Sequence, residues 1–162
     1  EEHQSIEGDL RIKNNPTLNS LKEMAALKRI SGTLDIRGNP CLLYLDGLEN
    51  LQSVGEYILI RYTSLQSLRG LGSVSKIGKS LVVSTNALTS LDGVEHVIST
   101  GANLTVSINP NLQSIQGLQA VTEVGGTLTL SELPRLRKLT GLDKLKHVSG
   151  DLEISYTIRS RI

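Results

Sequence analysis

One short phrase, a small or polar residue followed by aliphatic-x-aliphatic, recurs seven times at nearly constant spacing: GDLRI at Gly8, GTLDI at Gly32, EYILI at Glu56, KSLVV at Lys79, ANLTV at Ala102, GTLTL at Gly126 and GDLEI at Gly150. Successive units are therefore 24, 24, 23, 23, 24 and 24 residues long. A unit this short cannot enclose a core alone and must bury its apolar side against its neighbours, which specifies a stacked repeat rather than a globule. The aliphatic-x-aliphatic alternation reads as a strand with one buried face.

Unit two shows the apolar set most clearly, with Leu34, Ile36, Leu42, Leu45, Leu48, Leu51 and Val54. Units one, five and six repeat it, the last through Leu128, Leu130, Leu136, Leu139, Leu142, Leu145 and Val148. Seven inward residues per turn are expected to make up the core. Phe and Trp are absent and only four Tyr carry rings, in keeping with a narrow bore of constant section packed by branched aliphatics. After the first strand the apolar residues fall three apart, at bends or short further strands. That spacing also approximates a helix face, but Gly47, Gly70, Gly93, Gly117 and Gly141 share one internal slot and argue for a turn. Pro16, Pro40, Pro110 and Pro134 share another slot just after the strand, mostly behind Asn, and end it there. Units three and four lack this proline and are one residue shorter, so the deletion belongs to the loop and leaves strand register intact. The expected fold is all-β, a right-handed parallel β-helix of about 6.5 turns spanning residues 1–162 as one solenoid.

The phrase GxLxIxxNPxLxSLxGLxxLxxV resembles the receptor L domain, a leucine-rich-repeat-like β-helix of receptor ectodomains, and is most similar to its cysteine-poor versions in surface proteins. The similarity covers residues 8–157. It also echoes the ordinary leucine-rich repeat, whose Asn slot matches Asn15, Asn39, Asn86 and Asn109; Thr63, Leu133 and Thr157 depart from it, and Thr100 replaces the last apolar residue of unit four. The resemblance implies an extracellular or cell-surface module that binds a protein or glycan through the outer face of its main sheet.

Composition excludes other classes. With 17 basic and 16 acidic residues there is no bulk field toward nucleic acid, and no aromatic stacking platform. No apolar run reaches the ~18 residues of a membrane span, so no membrane insertion by this segment is expected. Cys41 is the one cysteine, which excludes an internal disulfide and a cysteine zinc site; it reads as a surface-slot residue, or as one half of an intermolecular bridge. His3, His96 and His147 lie in different slots, and Asp46 and Asp92 precede turn glycines, so no catalytic, metal or cofactor site is expected. Because the chain opens at Glu1 near a unit boundary and stops at Ile162 within unit seven, it is expected to be a piece of a longer protein.

Three outward columns follow from the strand period. The first is Asp9, Thr33, Tyr57, Ser80, Asn103, Thr127 and Asp151; the second Arg11, Asp35, Leu59, Val82, Thr105, Thr129 and Glu153; the third Lys13, Arg37, Arg61 and then serine at 84, 107, 131 and 155. Lys13, Arg37 and Arg61 stack like charges, which is unfavourable unless an anion or Asp35 relieves them. The candidate binding residues are Tyr57, Leu59, Arg61, Val82, Arg37 and Lys13, read as a contact patch with an aliphatic centre and a cationic edge. Ordinary solvated strand decoration is the alternative. Asn103 heads the sequon Asn103, Leu104, Thr105, either a glycan acceptor on this face or a chance match. Two roles stay open: a non-catalytic recognition or adhesion module, or a structural block of a wall, filament or appendage that associates with other copies of itself.

Overall fold

The structure, a computed structural model, describes residues 4–156, so His3 and Thr157 lie outside the described residues. The chain forms a parallel β-solenoid of about six turns with almost no helix. Among the described residues, one sheet holds seven strands, Leu10–Lys13, Leu34–Arg37, Ile58–Thr63, Leu81–Asn86, Leu104–Ser107, Leu128–Ser131 and Leu152–Ser155, each hydrogen-bonded to its counterpart in the next turn. The second sheet is a stack of two-residue strands, from Ser5–Ile6 through Arg29–Ile30 to His147–Val148. At about 4.8 Å per rung, six rungs extend for about 30 Å.

Register follows the sequence phrase: Leu34 pairs with Ile58, Ile58 with Leu81 and Leu81 with Leu104, across both 23-residue units. The missing residue is thus absorbed in the loop. The seven apolar positions of unit two are all buried, as are those of unit five. Unit six departs from expectation. Leu136, Leu142, Leu145 and Val148 are only partly buried and Leu139 is exposed, because among the described residues no complete rung stacks beyond them.

The core is not purely aliphatic either. Asn39, Asn86 and Asn109 are buried at or just past the ends of the main strands, joined by Thr63. Asn39 Nδ2 donates to the carbonyls of Ile12 (2.8 Å) and Arg37 (3.1 Å), while its Oδ1 accepts from the amide and side chain of Asn15, both at 3.0 Å. Asn86 Oδ1 takes the Thr63 hydroxyl at 2.8 Å, and Asn109 Oδ1 takes the Asn86 amide at 3.2 Å. These side chains satisfy backbone groups that the corner leaves without a ladder partner. The residue before each of them makes the corner. Asn14, Tyr62, Thr85, Ile108 and Glu132 all have φ between 51° and 58°, and Gly38 has 64°.

The shared glycine slot has a cause that turn chemistry alone does not supply. Rungs two, four and six turn with φ of 112° at Gly47, 117° at Gly93 and 118° at Gly141, and each glycine amide donates to the acid two residues on, Glu49, Glu95 or Asp143. In rungs two and six, Leu48 and Leu142 close onto the carbonyls of Leu45 and Leu139, the pattern of a type II turn. Rungs one, three and five lack that acid and instead form short 3-10 turns, Lys22–Met24, Arg69–Leu71 and Gln116–Leu118. Gly70 and Gly117 therefore sit inside helical turns, where a plain turn was expected. What both classes share is contact with the rung below: a Cβ on Gly70 would lie 2.0 Å from the Leu45 carbonyl oxygen, and one on Gly47 1.9 Å from that of Leu21. Rung one, beneath which no complete rung lies among the described residues, carries Glu23 in this slot.

Candidate functional site

The outer face of the long-strand sheet presents the three columns in register, Arg11 beside Asp35, Asp35 beside Leu59 and Leu59 beside Val82. The first column is largely engaged within the fold. Asp9 Oδ1 accepts the Thr33 amide at 2.7 Å, Ser80 Oγ the Asn103 amide at 3.0 Å, Asn103 Oδ1 the Thr127 amide at 2.9 Å and Thr127 Oγ1 the Asp151 amide at 3.3 Å. Each side chain fastens its own rung to the next. Sequence reasoning placed these residues in an outward column and did not foresee the ladder; the available signal was the recurrence of a short acceptor side chain at that one slot. Asn103 is exposed, with its carbonyl oxygen held in this ladder.

The cationic column is organised around a carboxylate buried on the outside of the sheet. Asp35 is only 5% exposed; Lys13 Nζ lies 2.8 Å from its Oδ2 and Arg37 Nε 3.8 Å from its Oδ1. The expected relief of like charge by Asp35 is therefore present, but for two cations. Arg61, next in the column, is half-buried and makes no described ion pair or hydrogen bond, and its Nε is shielded with no acceptor. Arg11 pairs separately with Asp9. Loss of the shared carboxylate in Asp35→Ala should destabilise the fold by about 1–2 kcal/mol, since two stacked cations lose their counter-charge. Urea denaturation should show that deficit shrinking at ~1 M salt, where the repulsion is screened.

The aliphatic centre is less prominent than the sequence suggested. Tyr57, Leu59 and Val82 point outward but all three are half-buried. On a continuous sheet face each outward side chain is flanked by its register neighbours and by the adjoining columns, so outward does not mean exposed. Tyr57 is further covered by Lys79, whose ammonium lies 5.2 Å from the ring centroid and donates to Glu56 at 2.9 Å. The hydrogen bond to Glu56 raises the Lys79 pKa above the ordinary lysine value, with burial opposing and the charges of Glu56 and Tyr57 adding to it. The sign follows: this contribution is fully present below the ordinary lysine value and is lost only as pH rises through the raised one.

Farther along the third column Ser107 Oγ donates to Ser84 Oγ at 2.9 Å, while Ser155 Oγ donates to Glu153 at 3.0 Å. The exposed apolar side chains of this flank lie one position beyond the column, at the positive-φ corner: Tyr62 is 65% and Ile108 44% exposed. Nothing in the hydrophobic period marks that slot, and sequence reasoning missed it.

Elsewhere, groups that could do chemistry stay apart. His96 Nδ1 contacts the Gly72 carbonyl at 2.7 Å on an exposed loop, His147 is exposed in the second sheet and Asp92 pairs with Arg69 at 3.3 Å. Cys41 is exposed. Among the described residues no cluster of His, Cys, Asp or Glu could hold a metal, and no helix is long and apolar enough to cross a membrane. A cavity of about 590 Å³ lies beside Pro134, Arg135 and Lys138, and one of about 410 Å³ beside Leu136, Ile154 and Tyr156, both in the last described rungs. No protein-family model, curated protein or solved structure matches the chain.

Proposed function

We propose that this solenoid is a non-catalytic, extracellular recognition or adhesion module of the receptor L-domain type, binding a protein or glycan partner through the outer face of its long-strand sheet. The observation that carries this reading is the column Lys13, Arg37 and Arg61, stacked in register around one carboxylate with Arg61 left without a counter-ion. A rigid sheet holds these cations at fixed rung spacing, so an anionic group on a partner meets a preformed charge row and supplies the counter-charge that Arg61 lacks. The test is a titration of the chain with heparin, polyglutamate and neutral dextran at two salt concentrations. Saturable, salt-sensitive binding of an anionic probe, weakened roughly tenfold in Arg37→Ala/Arg61→Ala, supports the reading. Indifference to charge, or an unaffected variant, rejects it.

A further inference from the structure

Each of the first six rungs leaves the long sheet through one residue of positive φ, Glu132 in the sixth, and the first five fill that slot in two ways. Asn14 and Gly38, in the first two rungs, are residue types that enter this region readily. The next three rungs carry Tyr62 (φ 55°), Thr85 (φ 58°) and Ile108 (φ 51°), a large ring and two β-branched side chains for which positive φ is an outlier. Thr85 is half-buried, its hydroxyl 3.3 Å from that of Ser84, but burial does not account for the other two. Tyr62 and Ile108 project into solvent, the Tyr62 hydroxyl makes none of the described hydrogen bonds, and Asn would suit the backbone better. Unfavourable backbone geometry kept for an exposed side chain points to use of that side chain outside the fold.

We propose that Tyr62, Thr85 and Ile108 form a docking ledge for a protein partner that lays apolar side chains along them and places a carboxylate on Arg61. The inference rests on the recognition reading of this face and moves its contact centre from Leu59 and Val82 to the edge of the sheet. Three consecutive rungs set the ledge residues about 4.8 Å apart, giving a continuous strip of ring, methyl and aliphatic surface. That strip calls for an apolar complement running across three rungs, which aliphatic and aromatic side chains of a polypeptide supply more fully than a saccharide, whose short C–H faces alternate with hydroxyls. Arg61 immediately precedes Tyr62 and makes none of the described ion pairs, and Lys13, Arg37 and Arg61 together outnumber Asp35, so the complement is acidic as well as apolar. Tyr and Arg are also the residue types on which interface energy concentrates.

The probe is a random linear peptide library displayed on phage and selected on the intact chain. Selected peptides are then titrated against wild type, Tyr62→Asn/Ile108→Asn and Arg61→Ala, with the thermal midpoint of each. The expected peptides combine Asp or Glu with aromatic or aliphatic residues. The ledge variant should lose roughly tenfold or more in affinity while its midpoint holds or rises, because Asn relieves the corner. Arg61→Ala should also bind more weakly. Affinity kept by the ledge variant but lost by Arg61→Ala overturns the ledge and leaves the face reading standing; affinity kept by both overturns both. A lowered midpoint in the ledge variant, or heparin binding with no peptide enriched, overturns the ledge as a protein site.

Discussion

Gly93→Ala should abolish cooperative folding of the central rungs, at a cost of about 4 kcal/mol or more. Two independent penalties meet at this residue. Its φ of 117° is a region that side chains with a Cβ rarely enter, and the added methyl would lie 1.8 Å from the Leu68 carbonyl oxygen, 2.0 Å from its carbon and 2.5 Å from the Arg69 nitrogen. All three are backbone atoms, so no rotamer change makes room. Relief requires rungs three and four to separate, which breaks the strand pairing that stacks Ile58 on Leu81. In a linear repeat the loss of one nearest-neighbour interface divides the rod into weaker halves. Urea denaturation should show loss of a single transition, and amide exchange should accelerate first around rungs three and four. Gly8→Ala is the control: no atom lies within 4 Å of its Cβ position, and the expected change is within about 0.5 kcal/mol.

Asn39→Ala should remove about 3 kcal/mol of stability. Asn39 is fully buried and uses both ends of its amide, donating to Ile12 and Arg37 carbonyls and accepting twice from Asn15. Truncation strands the Ile12 carbonyl and the Asn15 amide at a corner where water enters only by opening the rung. Asn39→Leu tests the cause, since it restores apolar volume without restoring a donor or acceptor. Denaturation midpoints of Asn39→Leu close to those of Asn39→Ala would establish hydrogen bonding as the origin; recovery to wild type would assign the effect to packing.

The features legible in the sequence are those written as repeated apolar positions. Leu34, Ile58 and Leu81 stack as their phrases align, and the one-residue deletions fall in loops because strands tolerate no slip when one face is buried. Asp35 as the neutraliser of Lys13 and Arg37 was legible too, since column neighbours follow from period two. The losses have one origin: they depend on contacts made one rung, or 23–24 residues, away. Asp9 and Asn103 read as outward polar residues until the neighbouring amide is placed beside them. Leu59 and Val82 read as exposed because a column gives direction, whereas accessibility depends on what flanks it. The positive-φ corner escaped notice because Tyr62, Thr85 and Ile108 are types that propensity would never assign to it. Asn14 and Gly38 were the hint, outvoted by their neighbours.

The alternation of glycine turns and 3-10 turns gives this solenoid a larger period than its sequence phrase. Two coils, not one, restore the backbone at that corner, because Gly-x-acid occurs in units two, four and six only. Lengthening or shortening the rod without disturbing that edge means adding or excising coils in pairs. A single excision would set two corners of the same kind against each other, with the Asp92 carbonyl that now receives the Leu68 amide facing an unmatched neighbour. The heritable brick of this architecture is a doublet.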